Sequence, residues 1–194
     1  MRTPDEVGLL LDDLNTVTAD DLEDQDFDFK EWIARSRNDA IDQVIEYAIC
    51  MANGGGGTVV FGVLDHVVGR DHAIVGVPPE IDTNLLKKAV YDSTDPKLTP
   101  VFEEVQVPEG TGRLILMQIH PGIPPYTDTS GRGKIRIGKD CQPLTGTLRR
   151  RIGVETDFTA EEIPGTPESH ISAAAMEVLR AAAAREKAPD DLLD

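Results

Sequence analysis

Hydrophobic and polar positions change period several times along this chain, and each change marks an element. Residues 4–14 place apolar side chains at helical spacing, then 16–26 turns acidic and loop-like. FDFKEW at 27–32 alternates aromatic and charged residues, the period-two mark of a half-buried strand. From 39 to 52, Ile41, Val44, Ile45, Ala48, Ile49 and Ala52 share one helical face, with Asn38 or Asp39 as the N-cap. Asn53 and four glycines end that helix, and 58–64 follows as an unbroken buried strand. A second strand at 73–77 would complete a hairpin over the 65–72 connection. Residues 83–91 read as a helix capped by Asp82 or Thr83.

Downstream, 101–107 and 113–120 predict two strands joined by the hairpin turn PEGTG. The segment 121–133 is rich in Pro, Gly, Thr and Ser and reads as a loop, 134–138 as a short strand, and 144–152 as a helical turn. The pattern predicts an α+β fold: a mixed, largely antiparallel sheet with the 39–52 and 83–91 helices packed on it. An acidic arm or helix at 1–20 would precede a main domain at 21–154. A linker at 155–170 would lead to an amphipathic helix at 171–187. That helix has no partner element within the chain, so 171–194 is expected to begin a further domain or to fold back.

Composition changes the picture in two places. The hydrophobic fraction of 40% supports a real core with few aromatics, and no run approaches the ~18 apolar residues of a membrane span. The two cysteines, Cys50 in an apolar helical run and Cys141 in a polar turn, fit a reducing cytoplasm, with Cys50 as a small buried hydrophobe.

The formal charge of −16 argues against a nucleic-acid partner until its distribution is seen. Residues 1–31 carry a net −9 and 155–194 a net −7, which leaves 32–154 balanced. Within that centre lies a basic block: Arg132, Lys134, Arg136, Lys139, Arg149, Arg150 and Arg151 against Asp140 alone. Its members fall on a strand and the turn after it, and with Lys30 they are the candidate phosphate contacts.

The glycine run tests a second chemistry. Asn53, Gly54, Gly55, Gly56 and Gly57 run from helix into strand, whereas a phosphate loop runs from strand into helix and ends in Gly-Lys-Ser/Thr. A helix C-terminus carries partial negative charge and repels phosphate. The run is therefore read as a structural joint, and ATP is not an expected ligand. The four histidines show no metal-ligand spacing, and no Gly-x-Ser-x-Gly elbow occurs.

In their order and spacing, Glu23, Asp28-Phe29-Lys30, Ala52-Asn53 to Gly57, Gly62-Val63-Leu64-Asp65, Pro125-Tyr126 and Ile135-Arg136-Ile137-Gly138 resemble the motifs of the Schlafen AlbA-type domain. The likeness covers roughly residues 21–150. It implies a nucleic-acid-binding module, for DNA or RNA. In bacteria such modules often precede a winged-helix or divergent ATPase-like region, in proteins described as transcriptional regulators or RecG-like.

Similar eukaryotic Schlafen proteins include endoribonucleases that hold a divalent metal on three carboxylates. By motif these positions are Glu23, Asp28 and Asp65, and hard oxygen ligands of this kind suit Mg²⁺ or Mn²⁺. One departure matters: Asp28 stands where the family motif has Glu, one methylene shorter. A metal-dependent endoribonuclease is thus the second reading. A protein-interaction or homo-oligomerisation domain, using the acidic arms and the 171–187 helix, is the third.

Overall fold

A four-stranded sheet in the order β1-β2-β5-β4 forms the centre of the molecule: β1 (Phe27–Lys30) is parallel to β2 (Gly57–Phe61), and β5 (Arg113–Ile119) is antiparallel to both its neighbours, β2 and β4 (Val101–Gln106). The computed structural model of the chain describes residues 1–33 and 36–150. The linker and helix expected at 155–194, and Arg151 of the basic block, lie outside them.

Both faces of the sheet are covered, which explains why β2 and β5 are almost uniformly apolar rather than alternating. On one face, Val59, Phe61, Ile115 and Met117 pack with Trp32, Val44, Ala48, Met51, Leu86 and Val90. The last five of these come from or adjoin α3 (Arg37–Asn53) and α5 (Thr83–Ser93). On the other, Phe27, Phe29, Val60, Leu114 and Leu116 meet Val7, Leu11 and Leu14 of α1 (Pro4–Asp13) and its C-cap. The first residues are therefore part of the core rather than an arm. Thr3 and Glu6 cap α1 reciprocally, and Pro4 occupies its first turn, where no amide partner is lost.

Several local expectations are corrected. The acidic 16–26 stretch contains a short helix, α2 (Ala19–Leu22), closed by a second capping box between Thr18 and Asp21. Ser36, not Asn38 or Asp39, caps α3. Residues 73–77 form no strand: a four-residue helix α4 (Arg70–Ala73) is followed by a single bridge between Val63 and Ile74. The cause is that the amides of both Val75 and Gly76 bond the one carbonyl of Gly62, which turns the chain away from a ladder.

Two small ribbons complete the fold: β3 (Thr94–Asp95) with β6 (Thr127–Asp128), and β7 (Lys134–Ile137) with β8 (Asp140–Pro143). The residues DCQP of β8 have no strand pattern, so only β7 was foreseeable. Cys141 on β8 is disulfide-bonded to Cys50 on α3, their Cα atoms 5.8 Å apart. The cysteines are thus not two separate thiols, and their usage gives no argument for a reducing compartment. Among the described residues no helix is long and apolar enough to cross a membrane.

Candidate functional site

The joint after α3 sets the position of everything around the site. Gly54 caps the helix, and the Gly56 amide returns to the Met51 carbonyl, as in a Schellman-type cap. These amides are used by the helix end itself and are not free for a phosphate. Gly57 has φ +148°, and a Cβ there would stand 2.4 Å from the Asp26 carbonyl oxygen, so the β1–β2 contact requires glycine. Asn53 acts as a staple. Its amide nitrogen donates to the carbonyls of Tyr126 (2.8 Å) and Lys134 (2.7 Å), and its oxygen accepts from the Tyr126 amide (2.7 Å). Gln25, which the motif reading passed over, bonds the Gly54 and Arg136 carbonyls and the Gly138 amide. Together these two amides fasten β7 across the end of α3.

That placement brings Glu23, Asp28 and Asp65 together around a side chain. The Lys30 ammonium lies 3.3 Å from Glu23 Oε1, 3.2 Å from Asp28 Oδ2 and 3.5 Å from Asp65 Oδ2. It also donates to the Phe29 carbonyl and sits over the Tyr47 ring. Asp28 points away from the Phe27 and Phe29 rings, toward α3, because residues alternate across β1. Its other oxygen, Oδ1, lies 2.6 Å from Arg136 Nη1. Neither Asp28 oxygen has a well-angled hydrogen bond, so charge rather than directed bonding holds this carboxylate.

Arg136 itself is 2% exposed, and its guanidinium also donates to the carbonyls of Asp24 and Phe27. The expectation that Arg136 contacts phosphate is therefore corrected: it is an interior cation. Lys30 is mostly enclosed as well. What the basic-block count missed is partnership, since β7 points Arg136 at Asp28 and Lys134 at Glu46.

Titration follows from this crowding. Burial, then the Asp28 charge, pushes the Glu23 carboxyl up to about 7. Burial also raises Asp28, although Lys30 and Arg136 oppose it. Burial would lower Lys30, but the charges around it, Asp28 foremost, raise it instead. Burial raises the Tyr47 hydroxyl to about 12. Three carboxylates against two cations leave one excess negative charge.

The donor set has the chemistry for Mg²⁺ or Mn²⁺, but the arrangement does not fit one. Such ions draw oxygens to about 2.0–2.6 Å, whereas these surround an ammonium at ion-pair distances. Among the described residues no group of three His, Cys, Asp or Glu is spaced to hold a metal.

The remaining basic residues divide between two places. Arg132, Lys134 and Arg149 line a groove of about 750 Å³ between α3 and the 128–134 loop, with Ile45, Ile49 and Leu144 also lining it. Asp42, Glu46 and Asp128 line the same groove. Lys134 pairs with Glu46 (2.6 Å), Arg132 with Asp128 (2.9 Å), and Arg149 donates to the Gly131 carbonyl. Lys139 lies elsewhere, bonded to Asp20, and Arg150 is exposed outside the groove lining.

Comparison with known proteins adds the following. The family model described as Schlafen, AlbA_2 matches residues 23–145. The crystal structure of the DIP2311 protein from Corynebacterium diphtheriae is similar at a TM-score of 0.55 and 24% identity, covering 68% of this chain and 24% of that one. The solution structure of the N-terminal domain of a RecG-related protein from Nitrosomonas europaea aligns at a TM-score of 0.42 and 21% identity, over 66% of this chain and 82% of that one. This chain thus spans about a quarter of the DIP2311 structure. No curated protein matches the sequence.

Proposed function

The chain belongs to the Schlafen AlbA_2 family, and from that premise we propose that it is a nucleic-acid-binding module whose interface is the groove between α3 and the 128–134 loop. The observation that carries the reading is the convergence of Arg132, Lys134 and Arg149 on one groove within the family-matched domain and the residues just beyond it. Arg132 and Lys134 reach it from neighbouring positions and Arg149 from the segment after β8, and a polymer of phosphates can engage all three. Phosphate contacts of this kind position a strand without reading its sequence.

The groove carboxylates set the strength. Arg132 and Lys134 already have partners, so a phosphate must exchange with Asp128 and Glu46, and affinity is low. Binding that uses three cations gives a log–log salt slope of about −2.7 for duplex and about −2.1 for single strands. Titration of single-stranded, duplex and hairpin ligands at two salt concentrations tests the reading. Salt-independent binding, or none at low ionic strength, refutes it.

A further inference from the structure

The three carboxylates that would make a metal centre all face one point, and a side chain of the protein stands there. Lys30 Nζ is within 3.5 Å of an oxygen from each of Glu23, Asp28 and Asp65. The lysine is local to the cluster: it follows Asp28 by two positions on β1, so both side chains emerge from the same face of the strand. Its ammonium also sits over the Tyr47 ring, 5.5 Å from the centroid, which holds it from the α3 side.

We propose that Lys30 is the resident cation of this cluster, that it closes the cluster to divalent metal, and that removing its ammonium creates a divalent-cation site on Glu23, Asp28 and Asp65. The charge count supports both halves. With Lys30 in place, the three carboxylates face two cations, and the single remaining charge is too little to draw in and strip a divalent ion. Without it, the same carboxylates face Arg136 alone. The two excess charges then match one Mg²⁺ or Mn²⁺, both of which take carboxylate oxygens.

Geometry adds two points. Removing the ammonium vacates the position nearest all three carboxylates. Asp65 Oδ1 is buried with no hydrogen-bond partner, so one ligand oxygen is already uncommitted. Asp65 is also the most exposed of the three, with 38% of its side chain accessible, and gives an ion its way in. This inference stands apart from the groove: nucleic-acid binding there needs no metal and would survive a chelator.

The test is a titration of Mn²⁺ alone, followed by calorimetry and by paramagnetic broadening of amide signals. It compares the wild-type chain with Lys30→Met, Lys30→Arg, and Lys30→Met carrying Asp65→Asn. Methionine keeps the apolar stem without the charge. Wild type and Lys30→Arg are expected to show no saturable site at the cluster. Lys30→Met should bind Mn²⁺ at least about tenfold more tightly than wild type, with broadening centred on residues 28 and 65, and Asp65→Asn should abolish that gain. A wild-type site that broadens those residues overturns the proposal. So does a folded Lys30→Met variant with no gain, or a gain that survives Asp65→Asn. If Lys30→Met does not fold, the wild-type and Lys30→Arg titrations still decide: a cluster site in either refutes the closed state, and its absence in both upholds it.

Discussion

Arg136 Nη1 lies 2.6 Å from Asp28 Oδ1, and both side chains are almost completely buried. This pair joins the β7–β8 ribbon to the first strand of the sheet. Removing Arg136 leaves the interior Asp28 with Lys30 as its one counter-charge, in a cluster that then holds three carboxylates against one cation. Arg136→Met should therefore lower unfolding free energy by about 3–5 kcal/mol, read from chemical denaturation. Adding Asp28→Asn to that variant should restore part of the loss, because the orphaned charge disappears with it. A single variant as stable as wild type would mean that water reaches Asp28.

Glu23 gives the cluster a pH signature. Its carboxyl is raised from 4.5 to about 7, first by burial and then by Asp28. The folded state thus keeps a proton that the unfolded chain releases earlier. The stabilisation is fully present below pH 4.5 and is lost as pH rises through about 7. Glu23→Gln retains an acceptor for the Phe29 amide but cannot ionise. The stability of Glu23→Gln relative to wild type should accordingly climb across that window and level off above it. Denaturant titrations in steps of pH check this, and a stability of the variant relative to wild type that falls with rising pH contradicts it.

The Asn53 staple is a separate source of stability. Its three hydrogen bonds hold Tyr126 and Lys134, and alanine would leave two carbonyls and an amide without those partners. Each buried group left unpaired costs about 1–3 kcal/mol. Asn53→Ala should destabilise the domain by about 3 kcal/mol in total and speed hydrogen exchange at the Tyr126 amide before that of β2. Gly57→Ala should be at least as damaging, since its Cβ meets backbone. Gly55→Ala should cost less: its φ is +103°, but no atom lies within 4 Å. Equal thermal midpoints for the two glycine variants would show that close approach does not set the requirement.

How far the sequence could be read depends on how local each signal is. The α3 face, the glycine end, β2, α5 and the β4–β5 hairpin are written in neighbouring residues, and the structure has all of them. The ordered family motifs single out Glu23, Asp28 and Asp65, and the fold gathers them around Lys30. Pairing at long range was not legible. Nothing near Arg136 marks it as the partner of Asp28, and nothing near Cys141 indicates Cys50, which lies 91 residues away. Charge counted along the chain makes Lys30 a candidate phosphate contact, whereas its enclosure by three carboxylates cannot be counted there. The FDFKEW alternation predicts a half-buried strand, but α3 covers the face that carries Asp28.

The groove cations make the binding proposal quantitative. Lys134 is 36% exposed and pairs with Glu46, and Arg132 is 82% exposed and pairs with Asp128. Replacing either with Gln, or replacing Arg149, removes one phosphate contact. Each change should flatten the duplex salt slope by about 0.9 and weaken binding alike across sequences. Lys139→Gln serves as the control, because Lys139 is held at Asp20, outside the groove lining; its slope should equal that of wild type. Glu46→Gln should have the opposite effect. It frees Lys134 from a competing carboxylate and removes a negative charge from the wall, so affinity at low salt should rise severalfold. Slopes that respond to Lys139 and not to Lys134 would move the interface off the groove and onto the α2 side of the domain.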